Sequence, residues 1–169
     1  MPFPFNPVLG TLHNEHYTGP LDADDWRITQ RYGCTGMSWE PPLGTCKHWH
    51  DGIDIANKRC GDPIRTVMRG TVKVDGRPSW AHGAIMVRVV HPAQGTTQYL
   101  TDYYHLQSEG VKVGQVLTDG QVIGKCGTSG MSTACHLHFV VKRRTWNATT
   151  KKWGAWVKVN PATYLTIAA

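Results

Sequence analysis

Between Trp26 and Tyr164 the chain is interrupted at short intervals by turn signals: Gly70, Asp75-Gly76, Gly83, Gly95, Gly110, Gly114, Asp119-Gly120, Gly124, Gly127 and Gly130. Asp-Gly pairs and isolated glycines supply the positive φ that tight turns require, so the runs between them are too short for most helices. The runs themselves, such as TVKV, AIMVRVV, VKVGQVL, QVIG and HLHFVV, are rich in β-branched residues. This rhythm predicts an all-β, mainly antiparallel domain with hairpins and little helix. Residues 1–25, rich in Pro and Asn/Gly and without a sustained period, read as an extended N-terminal arm laid on the domain or partly disordered. Residues 26–169 then form a single domain, which suits the length of the chain.

No run of about 18 apolar residues is present, so membrane insertion is not expected. The opening stretch MPFPFNPVLGTLHNEHY has no basic segment followed by a continuous apolar one, and a secretory leader is not expected either. The net charge of +6 is unevenly spread. All the acids lie at or before Asp119, whereas Lys125, Lys142, Arg143, Arg144, Lys151, Lys152 and Lys158 follow it. A basic end of this kind favours an anionic partner, whether nucleic acid, acidic lipid or a cell-wall polymer. Cys34, Cys46, Cys60, Cys126 and Cys135 show no C-x2-C spacing and read as buried thiols. The alternative is a Cys34–Cys46 disulfide across the CTGMSWEPPLGTC loop in an oxidising space.

Three histidine-bearing segments carry chemistry together. In HLHFVV, strand alternation puts His136 and His138 on one face and turns Leu137 and Phe139 to the core. In DGIDIA the same rule sends Ile53 and Ile55 inward and Asp54 to the opposite face. Gly52 argues against a helical pairing of His50 with Asp54, so a turn running into a strand lets His50 fold back beside it. If these faces meet, His50, Asp54 and one of His136/His138 offer an N/N/O ligand set with one tetrahedral position open, the composition of a catalytic zinc site. No H-E-x-x-H motif supplies a glutamate base. Histidine is left for that work: the unligated member of His136/His138, and His105 in DYYHL, where a short strand puts Tyr103 and His105 on one face.

The segments ITQRYG, HWHDGIDIA, GDPIRTVMRGTV, YYHL, VKVGQVLTDGQVIGKCGTSGMSTACHLHF and VNPATYL, in this order, resemble the lysostaphin-type, LytM-like zinc endopeptidases of metallopeptidase family twenty-three. The likeness runs from about Ile28 to Leu165. It implies a two-sheet β domain with a groove, one Zn2+ per chain, and hydrolysis of peptide bonds in peptidoglycan stems or cross-bridges. Carried over by residue, it makes His50, Asp54 and His138 the metal ligands and His105 and His136 the catalytic pair, with the choice of base between those two left open. It further implies cell-wall peptidoglycan as partner; no nucleic acid is expected to bind, and a monomer is expected. Without a leader, a bacteriophage lysin is expected, made in the cytoplasm and reaching the wall after holin release or in the virion. The competing function is a non-catalytic scaffold of the same fold, such as a tail component or a hydrolase activator.

The sequence also departs from the family. The loop TGMSWEPPLGTCKHW lacks the oxyanion-stabilising tyrosine of some relatives, leaving Tyr32, Tyr103 or Tyr104 to substitute. Val140 and Val141 stand where many relatives carry an acid, and residues 142–157 read as an enlarged hairpin. His48 is placed at a groove rim, and His13, His16, His82 and His91 at exposed or turn positions. Asp51 reads as a solvated turn residue, with orientation of His50 as its alternative role. Trp146, Trp153 and Trp156 read either as cross-strand packing or as a stacking platform.

Overall fold

The computed structural model describes residues 3–19 and 21–168. Among them run fourteen strands: β1 (Leu12–His13), β2 (Trp26–Gln30), β3 (Gly33–Cys34), β4 (Trp49–His50), β5 (Ile53–Ala56), β6 (Pro63–Arg65), β7 (Gly70–Val74), β8 (Ile85–Val90), β9 (Thr97–Glu109), β10 (Val116–Leu117), β11 (Val122–Cys126), β12 (Leu137–Asn147), β13 (Lys152–Trp153) and β14 (Val157–Val159). The helical segments among the described residues are two short 3-10 turns, Ser79–Ala81 and Pro161–Tyr164. No helix among these residues is long and apolar enough to cross a membrane. The large sheet runs β1-β2-β5-β12-β9-β8-β7-β10, with β11 joining β6 to β9 and both β13 and β14 on β12. β3 and β4 form a separate two-stranded sheet. The all-β, mainly antiparallel, two-sheet reading therefore holds.

The long strands β9 and β12 pair antiparallel from His138 opposite Tyr104 to Thr145 opposite Thr97 and form the spine of the molecule. Alternation along β12 and β5 works as the sequence implies: Leu137, Phe139, Val141, Ile53 and Ile55 are fully buried in one core. The register of β5 on β12 sets Asp54 directly opposite His138. Two side chains so placed have Cβ atoms only about 5 Å apart, so the sheet itself brings two site residues together from positions 84 apart in sequence.

Gly52 makes the short link between β4 and β5 possible. A Cβ there would stand 2.5 Å from the Phe139 carbonyl oxygen and 2.9 Å from the His138 ring. Gly52→Ala is thus expected to push β12 away, lowering stability by about 2 kcal/mol and weakening metal retention. Thermal denaturation and zinc stoichiometry of the purified variant check this; wild-type values in both would refute the close approach.

In the N-terminal arm, residues 1, 2 and 20 lie outside the described residues. The rest packs on the domain, with Phe3, Val8 and Leu12 buried in the main core and β1 parallel to β2. Phe3 meets Tyr99 and Tyr164, and Asn6 both donates to and accepts from the backbone of Thr166, joining the arm to the last turn of the chain.

The cysteine reading needs correction. Cys34 and Cys46 are disulfide-bonded, with Cα atoms 5.7 Å apart, and so are Cys60 and Cys135 at 5.4 Å. Cys126 alone keeps a free, buried thiol among the described residues. Two histidines set aside as exposed are in fact buried: His13, and His91 at 1% exposure. His91 donates from Nδ1 to the Arg69 carbonyl and accepts at Nε2 from Thr101, so its polar atoms are satisfied inside the core. Burial pushes its pKa down to about 4 and keeps it neutral.

Candidate metal centre

His50, Asp54 and His138 converge at the floor of an open groove of about 1000 Å³. His50 Nε2 lies 2.9 Å from His138 Nδ1, His138 Nδ1 lies 2.9 Å from Asp54 Oδ1, and His50 Nε2 lies 3.2 Å from Asp54 Oδ1. Their outer atoms fix which electron pairs face inward. His50 donates from Nδ1 to the Arg31 carbonyl at 3.0 Å. His138 donates from Nε2 to Asp51 Oδ1 at 3.0 Å. With those protons committed, two imidazole lone pairs and a carboxylate oxygen point at one another. Three acceptors at such spacing need a cation between them. Donors about 2.0–2.1 Å from a tetrahedral zinc ion sit about 3.3 Å apart, and two nitrogens with one oxygen suit that ion.

Without a metal, a proton must serve. The His138 pKa is raised to about 9: burial opposes the charge, but the hydrogen bonds to Asp51 and Asp54 outweigh it. Burial alone would also raise the two carboxyls, yet the His138 contacts, with His50 at Asp54 and Lys158 at Asp51, hold both well below the usual carboxylate range. The consequence for pH has a definite sign. The folded pKa of His138 exceeds the value near 6.5 of an unperturbed imidazole, so its proton stabilises the metal-free fold below about 6.5 and that contribution is lost as pH rises through 9. A metal ion competes with that proton. Between about pH 6.5 and 9, zinc uptake is expected to release close to one proton, and affinity to fall about tenfold for each pH unit below 9. Calorimetry in buffers of differing ionisation enthalpy measures this, and uptake without proton release would refute it.

The remaining expected residues stand beside these three. The His105 and His136 rings lie 4.7 Å apart, and His105 is 6.0 Å from His138. His105 donates from Nδ1 to the Ser129 carbonyl at 2.7 Å, and His136 from Nδ1 to the Ala134 carbonyl at 2.8 Å. Each ring therefore keeps Nε2 as its basic nitrogen, and that of His136 is 3.8 Å from Asp54 Oδ1. Burial, reinforced by neighbouring imidazoles, pushes the His105 pKa down to about 4.

Tyr103 does not share a face with His105. His105 adopts φ +63° at a register break on β9, a left-handed conformation unusual for a non-glycine residue, and alternation fails there. Tyr103 goes to the core, where its hydroxyl accepts from the Val67 N–H, while Tyr104 and His105 both line the groove. Of the three tyrosines considered for the missing oxyanion group, Tyr104 alone is a groove residue. Tyr32 packs edge-on against Trp49 instead.

Other assignments sharpen. Asp51 orients His138 rather than His50, and also pairs with Lys158. His48 donates from Nδ1 to the Glu40 carbonyl and stays outside the groove. His16 and His82 are exposed, the latter on the groove wall. Trp146 and Trp153 pack edge-on as a cross-strand pair, and Arg144 lies over Trp153 and Trp156, which favours the packing reading. The sequence reading missed Glu40, whose Oε1 is 4.0 Å from His50 Nε2, and Ser129, which anchors His105; neither sits in a local pattern that announces a site.

The sequence profile of Peptidase family M23 matches residues 48–152. Over 105 residues, 62% of this chain and 20% of the relative, the sequence is 33% identical to lysostaphin of Staphylococcus simulans. Over 131 residues, 76% of this chain and 28% of the relative, it is 35% identical to the peptidoglycan DD-endopeptidase ShyA of Vibrio cholerae. The chain spans less than a third of the length of these curated relatives. The fold superposes on the lysostaphin catalytic domain with a TM-score of 0.57 at 26% identity, covering 79% of this chain and 87% of that one. It superposes on the catalytic domain of a point mutant of the prophage-encoded M23 protein EnpA of Enterococcus faecalis with a TM-score of 0.56 at 26% identity, covering 88% of this chain and 95% of that one.

Proposed function

The chain belongs to peptidase family M23, and from that premise we propose that it is a zinc-dependent endopeptidase that hydrolyses peptide bonds in the stem peptides or cross-bridges of peptidoglycan. The observation that carries this reading is the convergence of three inward lone-pair donors, His50, Asp54 and His138, at 2.9–3.2 Å on the floor of an open groove. His50, Asp54 and His138 would hold one zinc ion there, and bound it would supply acidification of water and polarisation of the scissile carbonyl.

The chain's own residues supply the rest. Asp51 and the Arg31 carbonyl keep His138 and His50 in the tautomers that present lone pairs inward. His105 and His136, held through Nδ1, present Nε2 to the groove as the pair that takes the proton of the attacking water and stabilises the oxyanion. Met37 and Trp39 on one loop, and Trp80 and Met131 on others, wall the groove with apolar surface against an extended peptide. The relatives named as lysostaphin and a peptidoglycan DD-endopeptidase support the substrate class. The bacteriophage lysin role, with action on the wall after holin release or from the virion, draws support from the likeness to a prophage-encoded M23 protein and from the basic last third of the chain, which suits an anionic wall.

Incubation with purified sacculi of several wall types tests the reading. New amino termini should appear, vanish with a chelator and return with zinc, and mass spectrometry of the released muropeptides should identify the bond. Zinc bound at one per chain with no bond cleaved in any wall would instead indicate a scaffold.

A further inference from the structure

We propose that the groove carries a carboxylate-binding subsite formed by Arg88 and Lys142, so that the substrate is an acidic peptide with a free carboxylate a few residues from the scissile bond rather than a neutral glycine bridge. This rests on the endopeptidase reading and deepens it. The base of the subsite is Asp102, fully buried on β9. Its Oδ1 accepts from Arg88 Nε at 2.6 Å and its Oδ2 from Arg88 Nη2 at 2.9 Å, and Lys142 Nζ forms an ion pair with Oδ2 at 3.2 Å. One carboxylate thus holds two cations, leaving an excess positive charge.

Where that excess points is fixed by the sheet. Arg88 and Lys142 are about one-fifth exposed, and both line the groove. Trp80 lies over the Arg88 guanidinium at 4.8 Å and holds it in place. The other charged groups of the groove are already committed: Lys158 to Asp51, Asp51 and Asp54 to His138, and Glu40 beside His50. A single cation would neutralise Asp102 if the cluster served only to knit three strands. The second raises the desolvation cost unless an anion completes it. Lys142 also keeps N–H donors beyond its ion pair with Asp102.

The register gives the distance from the metal centre. His138 pairs with Tyr104, and the next row outward on the same face is Val140, Asp102 and Arg88, with Lys142 beyond it. At about 3.3 Å per residue these rows lie about 7 and 13 Å from His138, so an extended peptide presents its carboxylate two to four residues from the cleaved bond. A neutral peptide seated there would cover the cations without pairing them, a penalty that grows as water is excluded.

Matched substrates test this: a cross-linked muropeptide dimer whose stem glutamate, two residues before the alanine of the cross-link, keeps a free α-carboxylate, the same dimer with that carboxylate as a carboxamide, and pentaglycine. The wild-type protein is expected to favour acid over amide by about 10–100-fold in kcat/KM, the range of a hydrogen bond to a charged group, and to cleave pentaglycine least. Lys142→Gln should collapse the acid-to-amide ratio to within about threefold, chiefly through KM, and Lys142→Arg should retain it. Equal rates on acid and amide in the wild type, or a Lys142→Gln effect that scales both alike, would overturn the subsite and leave the cluster as a sheet fastening. If no substrate is cleaved, the endopeptidase reading fails by itself. Calorimetric binding of the acid and amide dimers then decides the subsite: tighter binding of the acid sustains it, and equal Kd values overturn it.

Discussion

Replacing His138 or Asp54 with alanine is expected to abolish zinc binding and hydrolysis together, with kcat/KM falling by at least ~10³-fold. The three donor atoms lie within 3.2 Å of one another, so loss of either leaves two donors that no longer define an open tetrahedral set. The fold should survive. In the metal-free protein the proton on His138 pairs it with Asp51 and Asp54, and each substitution gives up part of that pairing, so both variants should melt in chelator a few degrees below the wild type at neutral pH while staying folded at 25 °C. Elemental analysis, circular dichroism and amine release from sacculi make the measurement. Activity retained without metal would end the zinc reading.

His105→Ala is expected to separate the two losses: zinc stays near one per chain while kcat falls by ~10²–10⁴-fold. His105 donates to the Ser129 carbonyl and contacts neither His50 nor Asp54 through a ligand atom, so its removal leaves the donor set intact. KM should change less than kcat, because the apolar walls are supplied by Met37, Trp39, Trp80 and Met131. Loss of zinc on this substitution would make His105 a ligand and overturn its role as partner of His136.

The fold class was legible because turn glycines and β-branched runs are local signals, and the flanking residues of Asp54 and His138 announced their own faces. Ile53 and Ile55, like Leu137 and Phe139, are apolar on both sides of a polar residue, which leaves one orientation for each strand. His105 defeated the same rule. Its left-handed backbone shifts the alternation by one residue, and nothing in DYYHL distinguishes the tyrosine that enters the core from the one that faces the groove. The bond from His138 to Asp51 spans 87 positions, and the Cys60–Cys135 link spans 75, so both depend on the finished sheet rather than on any local motif. Asp102 reads as a polar strand residue until β8 and β12 close on it with Arg88 and Lys142.

His138 and His105 are rooted in β12 and β9, the two longest strands, paired to each other at the middle of the large sheet. Exchange of amide hydrogens there requires opening most of the sheet, whereas Trp39, Trp80 and Met131 lie outside its strands, on segments not tied into that ladder. Under the proposed function, the catalytic histidines and the surface that would meet the substrate thus occupy separate tiers of cooperativity. Insertions or deletions in the outer tier would then change what the groove accepts while the donor set on the central strands stays intact.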